Sequence, residues 1–458
     1  MSGRRGLGVL RNPAQTIVVA YGSLILIGAV LLGLPLATTA TEARLAPIDA
    51  LFMSTSATTI TGLSTVDPTQ LSVFGQVVLI ALVQVGGFGI MTIGAGLAVI
   101  AARHLGLRQR RLVTVEMGTG DSASELATLI KAIAKLTIVA ETVVAIVLFF
   151  AFWIGGHESF VGAIGTGVFH SISAFNNAGF STFPDSLEGF VGNPFVILPI
   201  SAAFIVGGLG FPVLTETIRR YRMRRAAGRR RVTAPWSIHA KVTAAMTLAL
   251  VVIGPLCVIA FEWTNEQTLG PLDITGKLLA GWLQGVSPRS AGFNSVPTAA
   301  LNETTLVVMS VLMFIGGGPV STAGGIKVTS VAVLTAATWS EVRGERDTHV
   351  FRRRLPENTV RQAVTAALLG VSLVFVFTLL LMASEGFDLT SSIFEVTSAF
   401  GTAGLTTGVT DELDAVGHYV VMALMLIGRV GVVTFVTAVA LTDRARAYRL
   451  PEERVLIG

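Results

Sequence analysis

Long apolar runs alternate with short polar breaks along almost the whole chain. The first runs from Ala14 to Leu36, and others end near Ala102, Trp153, Ile218, Phe261, Ser340, Ala383 and Leu441. Each is of the length, roughly 20 residues, that an α-helix needs to cross a bilayer. The pattern predicts an all-α integral membrane protein with eight transmembrane helices.

A second pattern lies in the breaks. FMSTSATTITGLST (52–65), FHSISAFNNAGFST (169–182), WLQGVSPRSAGFNS (282–295) and FEVTSAFGTAGLTT (394–407) align on Gly62, Gly179, Gly292 and Gly404. An aromatic residue (Phe52, Phe169, Trp282, Phe394) stands ten positions before each glycine, and Leu63, Phe180, Phe293 or Leu405 follows it. The glycines are 117, 113 and 112 residues apart. The expected unit is span, short helix, polar loop, span, with repeats over 14–111, 112–231, 232–354 and 355–447 and a tail over 448–458. Two spans per unit give all four the same orientation, so their loops can meet on one pseudo-fourfold axis.

Composition agrees with lipid. The 458 residues are 52% hydrophobic and 13% charged, where soluble domains are about a quarter charged. The one cysteine, Cys257, can form no intrachain disulfide, and no two of the six histidines have metal-ligand spacing. The start, GRRGLGVL, hints at a twin-Arg export signal, but the following apolar run is long for one and reads as a first span.

Net charge is +5, and its distribution sets the orientation. Basic clusters (Arg4, Arg5 and Arg11; 103–111; 219–231; 343–354; 443–454) alternate with loops carrying Glu42, Asp49, Glu158, Asp185, Glu188, Glu262, Glu266, Glu385, Asp388, Asp411, Glu412 and Asp414. The positive-inside rule puts the basic loops and both termini in the cytoplasm. The strongest arginine run joins two spans, so lipid head groups or a cytoplasmic partner explain it better than nucleic acid.

Non-helical backbone at membrane depth is tolerated where it is buried in protein or lines a wet cavity. Four loops around a pore meet that condition, and their carbonyls can replace a cation's hydration shell. Glycine permits the positive φ that turns carbonyls toward an axis. Ser and Thr hydroxyls can support the loops or add ligands. The preceding helix aims its negative end at the same place. No carboxylate ring is present, which favours a monovalent cation. Four hairpins that merely pack are the plainer reading, but they need no glycine at one register.

These loops resemble those of the Ktr/Trk/HKT superfamily of potassium and sodium transporters, which are built from four span–pore helix–span repeats. The resemblance covers essentially the whole chain and is strongest to the KtrB-like membrane subunits of bacterial Ktr systems, whose tails YRLPEERVLIG is also similar to. It implies potassium bound by carbonyls of Thr59, Ile60, Thr61 and Gly62; Asn176, Asn177, Ala178 and Gly179; Ser290, Ala291 and Gly292; and Thr402, Ala403 and Gly404. It further implies a homodimer on a cytoplasmic ring of RCK-type, KtrA-like nucleotide-binding subunits, so that nucleotide is expected on a partner alone. One glycine per loop, against the two of a TVGYG filter, predicts weaker discrimination against sodium than in a dedicated channel.

IGGGPVSTAGGIK (315–327) interrupts the span after the third loop. Five glycines and a proline in thirteen residues hold no regular helix. A phosphate loop would need a GK[ST] ending and a preceding strand. A kinked, closely packed helix is the plain alternative. The resemblance implies a movable gating loop, with Gly316, Gly317, Gly318, Ser321, Thr322, Gly324, Gly325 and Lys327, and a pore arginine, Arg429, beside it. Lys327 would anchor the loop or repel cations. A charge mid-span, as Arg429 is read here, is costly and normally faces a cavity or partner; the alternative is a structural pair with an acid.

Arg289 is expected to turn outward to an acid or carbonyl. Glu141 is read as a buried partner of Lys131 or Lys135, with a proton-linked role as the sharper alternative; both lysines can snorkel. Asp411, Glu412 and Asp414 could concentrate cations at the mouth. Nothing in the pattern is catalytic. The competing functions are a sodium-permeable or sodium-coupled transporter, a solute carrier with a midplane site built from broken helices, and a non-transporting membrane sensor or scaffold.

Overall fold

The computed structural model describes residues 13–39, 44–103, 122–226 and 236–431, and it is mostly helical. The basic clusters around Arg4 and Arg11, at 104–111 and 227–231, and in the tail, with the end of the last apolar run, lie outside these residues.

Helices follow one another in a recurring order. First come α1 (Pro13–Leu32), a short α2 (Pro47–Thr59) and α3 (Val73–Arg103). Then come α4 (Ser122–Ile154), a short α5 (Phe160–Phe175), α6 (Pro194–Leu209) and α7 (Phe211–Ala226). Next are α8 (Ile238–Glu262), a short α9 (Ile274–Val286), α10 (Glu303–Phe314) and α11 (Val328–Val342). Last are α12 (Glu357–Glu385), a short α13 (Leu389–Gly401), the single turn α14 (Val409–Glu412) and α15 (Ala415–Val430). The segments Gln15–Leu32, Ala127–Ile154, Ile238–Glu262 and Glu357–Glu385 are long and apolar enough to cross a membrane. Val73–Gly89, Glu303–Phe314 and Ala415–Val430 are shorter apolar helices.

The long helices turn large apolar side chains outward: Leu26, Val30, Val143, Leu368 and Phe375 are all more than half exposed. Such a belt has no place in water and marks the lipid-facing surface. The short helices are the reverse. Every residue of α2 from Phe52 to Thr59 is buried, as is every residue of α13 from Phe394 to Gly401. Side chains fix their starts. Ser159 Oγ accepts from the Gly162 N–H, Asp273 Oδ1 from Gly276, and an Asp388 oxygen from Thr390 and Ser391. These satisfy otherwise orphaned N–H groups of the first turn.

Three interruptions depart from plain spans. The run expected to end near Ile218 is two helices, α6 and α7, bent by 100° at Gly210, where φ is 91°. The third such run leaves the helix after Phe314 and resumes at Val328. α15 stops at Val430, with φ 88° at Gly431, so Arg429 sits in its last turn and not mid-helix. The first two breaks interlock. Gly318 N donates to the Gly208 carbonyl at 2.8 Å, and Phe211 N to the Val320 carbonyl at 3.0 Å.

Candidate functional site: four central loops and the strand of glycines beneath

Each short helix ends in the same backbone motif. Ile60, Asn177, Ser290 and Thr402 have φ of 58°, 61°, 67° and 46°. Two residues on, Gly62, Gly179, Gly292 and Gly404 have φ of 91°, 73°, 76° and 80°. In three loops the residue between them closes the helix. Thr61 N donates to Ser56 O at 2.8 Å, Ala178 N to Ser173 O at 2.7 Å and Ala403 N to Ser398 O at 2.8 Å, a left-handed helix stop. In the third, Ala291 N donates to Ser287 O at 2.9 Å instead.

The loops meet in cyclic order. A Cβ on Gly62 would overlap the Ala178 carbonyl oxygen, and one on Gly404 the Thr61 oxygen. A Cβ on Gly179 would lie 2.8 Å from the Ala291 oxygen, and one on Gly292 2.9 Å from the Ala403 oxygen. Each glycine thus faces the residue preceding the glycine of the next loop, and the fourth returns to the first. Four glycines interleaved with four carbonyls form a closed ring with no side chain in it.

Side chains of the short helices hold the loops from behind. Gly62 N donates to Ser56 Oγ at 3.0 Å, and Thr59 and Thr61 hydroxyls bond each other at 2.8 Å. Ser173 Oγ donates to Phe180 O at 2.8 Å. His170 Nδ1 lies 2.9 Å from Thr166 O; donating there leaves Nε2 to accept from Ser181 Oγ at 3.0 Å. Ser295 N donates to Gln284 Oε1, while Thr406 and Thr410 hydroxyls donate to the two oxygens of Glu395. His170 and Glu395 occupy the same register, nine residues before their glycines. These hydroxyls are supports for the loops.

The Gly-rich loop 315–327 lies against three of these loops. Gly316 N donates to Ile326 O at 2.9 Å, and Val328 N to Gly317 O at 3.1 Å. Thr322 Oγ1 donates to Asn177 Oδ1 at 2.7 Å. Gly324 N donates to Ser290 Oγ at 3.1 Å, and a Cβ on Gly324 would overlap Thr402 Oγ1. Ser290 Oγ in turn donates toward the Gly401 and Thr402 carbonyls. Gly325 takes φ 64°, Ser321 is buried, and Lys327 Nζ donates to Ala323 O at 2.7 Å, so the lysine closes its own loop. Arg429 is 4% exposed. Nη1 donates to Thr322 O and Nη2 to Gly86 O. The Tyr21 hydroxyl stands beside it and donates to the same Gly86 carbonyl, and the acid of a structural pair is not found among the described residues.

A second repeat sits one helix further on: GGFG (86–89), GGLG (207–210), GGGP (316–319) and GRVG (428–431). A Cβ on Gly86, Gly207 or Gly428 would overlap the carbonyl of Thr58, Phe175 or Phe400, each four residues before its loop glycine. Arg429 takes the place of Gly87, Gly208 and Gly317. These glycines lie inside apolar runs, where hydropathy hides them; they begin 24, 28, 24 and 24 residues after the loop glycines.

Two expectations need correcting. Glu141 accepts from Gln84 Nε2 at 3.4 Å and Asn176 Nδ2 at 3.1 Å, and not from Lys131 or Lys135. The lysines share its helix but lie more than a turn away, whereas the amides reach it from neighbouring elements. Arg289 is buried, and its Nε has no acceptor among the described residues, so the outward acid or carbonyl is not there. Outside the ring, Asp414 Oδ1 accepts from Val416 and Gly417 as a helix cap, while Asp411 is raised by burial and by Glu412 and Asp67.

Glu188 bridges the second and third loops, accepting from Asn294 Nδ2 at 2.7 Å. Burial, with repulsion from Asp185, pushes its carboxyl up to about 7 against that hydrogen bond. The folded chain therefore favours the protonated form. The stability this contributes is complete below the ordinary value of 4.5 and is lost as pH rises through about 7. The melting temperature of the purified protein should fall between about pH 5 and pH 8, and fall less in Glu188→Gln. Parallel curves for the two proteins would refute this.

The family described as TrkH, cation transport protein, matches residues 9–448. The Ktr system potassium uptake protein B of Bacillus subtilis is 38% identical over 98% of this chain and 97% of its own. The potassium/sodium uptake protein NtpJ of Enterococcus hirae is 33% identical over 98% and 97%. Among solved structures, the potassium transporter TrkH of Vibrio parahaemolyticus superposes with a TM-score of 0.73 at 19% identity, covering 96% of this chain and 87% of that one.

Proposed function

The chain belongs to the TrkH family of cation transport proteins, and from that premise we propose that it is the ion-translocating subunit of a potassium uptake system. It is an integral membrane protein. In this reading α2, α5, α9 and α13 are pore helices. Eight spans surround them, α6 and α7 sharing one broken span and α10 and α11 another. The four repeats keep the boundaries 14–111, 112–231, 232–354 and 355–447. The observation that carries the reading is the closed ring of positive-φ glycines, each against the carbonyl before the next. Backbone oxygens of Thr59 to Gly62, Asn176 to Gly179, Ser290 to Gly292 and Thr402 to Gly404 replace the hydration shell of a bare cation.

The loop 315–327 is the gate. It contacts Asn177, Ser290 and Thr402 directly beneath the ring, and Arg429 ties it from the last repeat. With one glycine per loop, sodium is discriminated less strongly, which fits the potassium/sodium relative. A sodium-permeable or sodium-coupled transporter is the second reading. The protein sits in the plasma membrane with both termini cytoplasmic, as a homodimer docked through its basic loops on an RCK-type nucleotide-binding ring.

The test is rubidium or potassium uptake in cells lacking their own high-affinity potassium uptake. Wild type should restore it, and Gly292→Ser, present at equal level in the membrane, should lose it or admit sodium. Equal uptake by both would make the loops packing hairpins.

A further inference from the structure

Glu141 is a buried carboxyl outside the pore machinery described so far. Glu141 lies on the apolar helix α4, which has its long face in lipid. On that face α4 and α5 enclose a groove of about 380 Å³, lined by Ile138, Ile146, Phe149, Ile164 and Val168, with Glu141 at its wall. An acid in such surroundings is costly and calls for partners. Its hydrogen-bond partners are uncharged amides, so no ion pair offsets that cost.

What it touches is specific. Asn176 Nδ2 reaches Glu141 Oε1 at 3.1 Å, Gln84 Oε1 at 2.7 Å and the Ile172 carbonyl at 3.0 Å. Gln84 Nε2 reaches Glu141 Oε2 at 3.4 Å. The result is a triangle of side chains from α3, α4 and the first residue beyond α5. Gly87, the first repeat's counterpart of Arg429, packs closely on Asn176 Oδ1, which a Cβ there would overlap. Asn176 is followed at once by left-handed Asn177, whose side chain accepts from Thr322, and then by Ala178 and Gly179 of the ring.

We propose that Glu141 is a positioning residue for ion selection: it fixes Asn176, and through it the backbone of the second loop. The inference rests on the potassium-uptake reading. It assigns Glu141 no contact with the ion and no proton to carry; it acts through a hydrogen-bond bridge in which its two oxygens accept one from each amide, where a glutamine could accept from only one.

The experiment compares wild type with Glu141→Ala, Glu141→Gln and Gln84→Ala for potassium uptake against sodium competition. Membrane level and melting temperature are measured alongside. Glu141→Ala should lower the preference for potassium on the order of tenfold. Glu141→Gln keeps one acceptor oxygen for the two amide donors and should fall between Glu141→Ala and wild type. A Glu141→Ala chain that transports less at unchanged preference would have lost only structure, and the proposal would fall. A Gln variant as selective as wild type would also overturn it, because the bridge to both amides would then not matter. Should Glu141→Ala fail to reach the membrane, Gln84→Ala decides: it opens one side of the triangle, and an unchanged preference counts against the proposal. A wild type that moves no potassium removes the premise itself, and is seen before any variant is compared.

Discussion

Alanine at Gly62 or at Gly404 abolishes potassium uptake while the protein still reaches the membrane: that is the largest effect expected of any single substitution. Two costs coincide at these positions. The left-handed conformation costs an L-residue about 1–2 kcal/mol. The added methyl also overlaps the carbonyl of Ala178 or of Thr61, which are backbone atoms and cannot rotate away. Overpacking of that kind costs about 1–3 kcal/mol. The ring must open to admit it, and the displaced carbonyls are those proposed to hold the ion. At Gly179 and Gly292 an added Cβ would meet a backbone Cα at 2.6 and 2.8 Å besides a carbonyl oxygen at 2.8 and 2.9 Å, so alanine there should impair uptake as well. Uptake kinetics of the four alanine variants, normalised to membrane protein, check this. Uptake by Gly62→Ala within about twofold of wild type, a difference of under ~0.5 kcal/mol, would sink it.

Removing Arg429 should have the opposite sign. Its guanidinium is buried beneath the ring, and a unit charge about 4 Å from a passing cation repels it by ~4 kcal/mol at an effective dielectric of 20. The same group ties the Thr322 carbonyl of the Gly-rich loop to the Gly86 carbonyl of α3. Arg429→Ala removes both the barrier and the tie, so uptake without any cytoplasmic partner should rise by about tenfold or more. Arg429→Lys keeps the charge but not the forked contact to two carbonyls, and should fall between. The check is initial uptake rate of the chain expressed alone. Equal rates for wild type and Arg429→Ala would show that the arginine has no part in the closed state.

The register of the four loops was legible because a glycine at one spacing, with an aromatic ten residues before it, is hard to produce by chance. The partner motif two residues earlier was not. Ile60, Asn177, Ser290 and Thr402 share a left-handed backbone but no chemistry, so no residue pattern betrays them. The bend at Gly210 was equally hidden. IVGGLGFPVL is as apolar as an unbroken span, and the break is fixed by hydrogen bonds to Gly318 and Val320, more than a hundred residues away. Glu141 was paired with lysines of its own helix because local spacing is what a sequence displays. Its actual partners, Gln84 and Asn176, belong to two other helical elements. Contacts within an element could be read directly; contacts between repeats needed the fold.

The glycine strand under the ring has a consequence of stoichiometry. Were the pore assembled from four identical chains, any residue reaching the axis would be present in four copies. Four guanidiniums at the level of Arg429 would plug the path by mutual repulsion, and four copies of residues 315–327 would compete for one space. With all four quarters in a single polypeptide, one quarter carries Arg429 where the others have Gly87, Gly208 and Gly317, and one quarter alone supplies the loop. In the proposed reading, tandem repetition thus permits a barrier of unit charge and a single-copy plug, adjustable by substitutions that leave the other three quarters untouched.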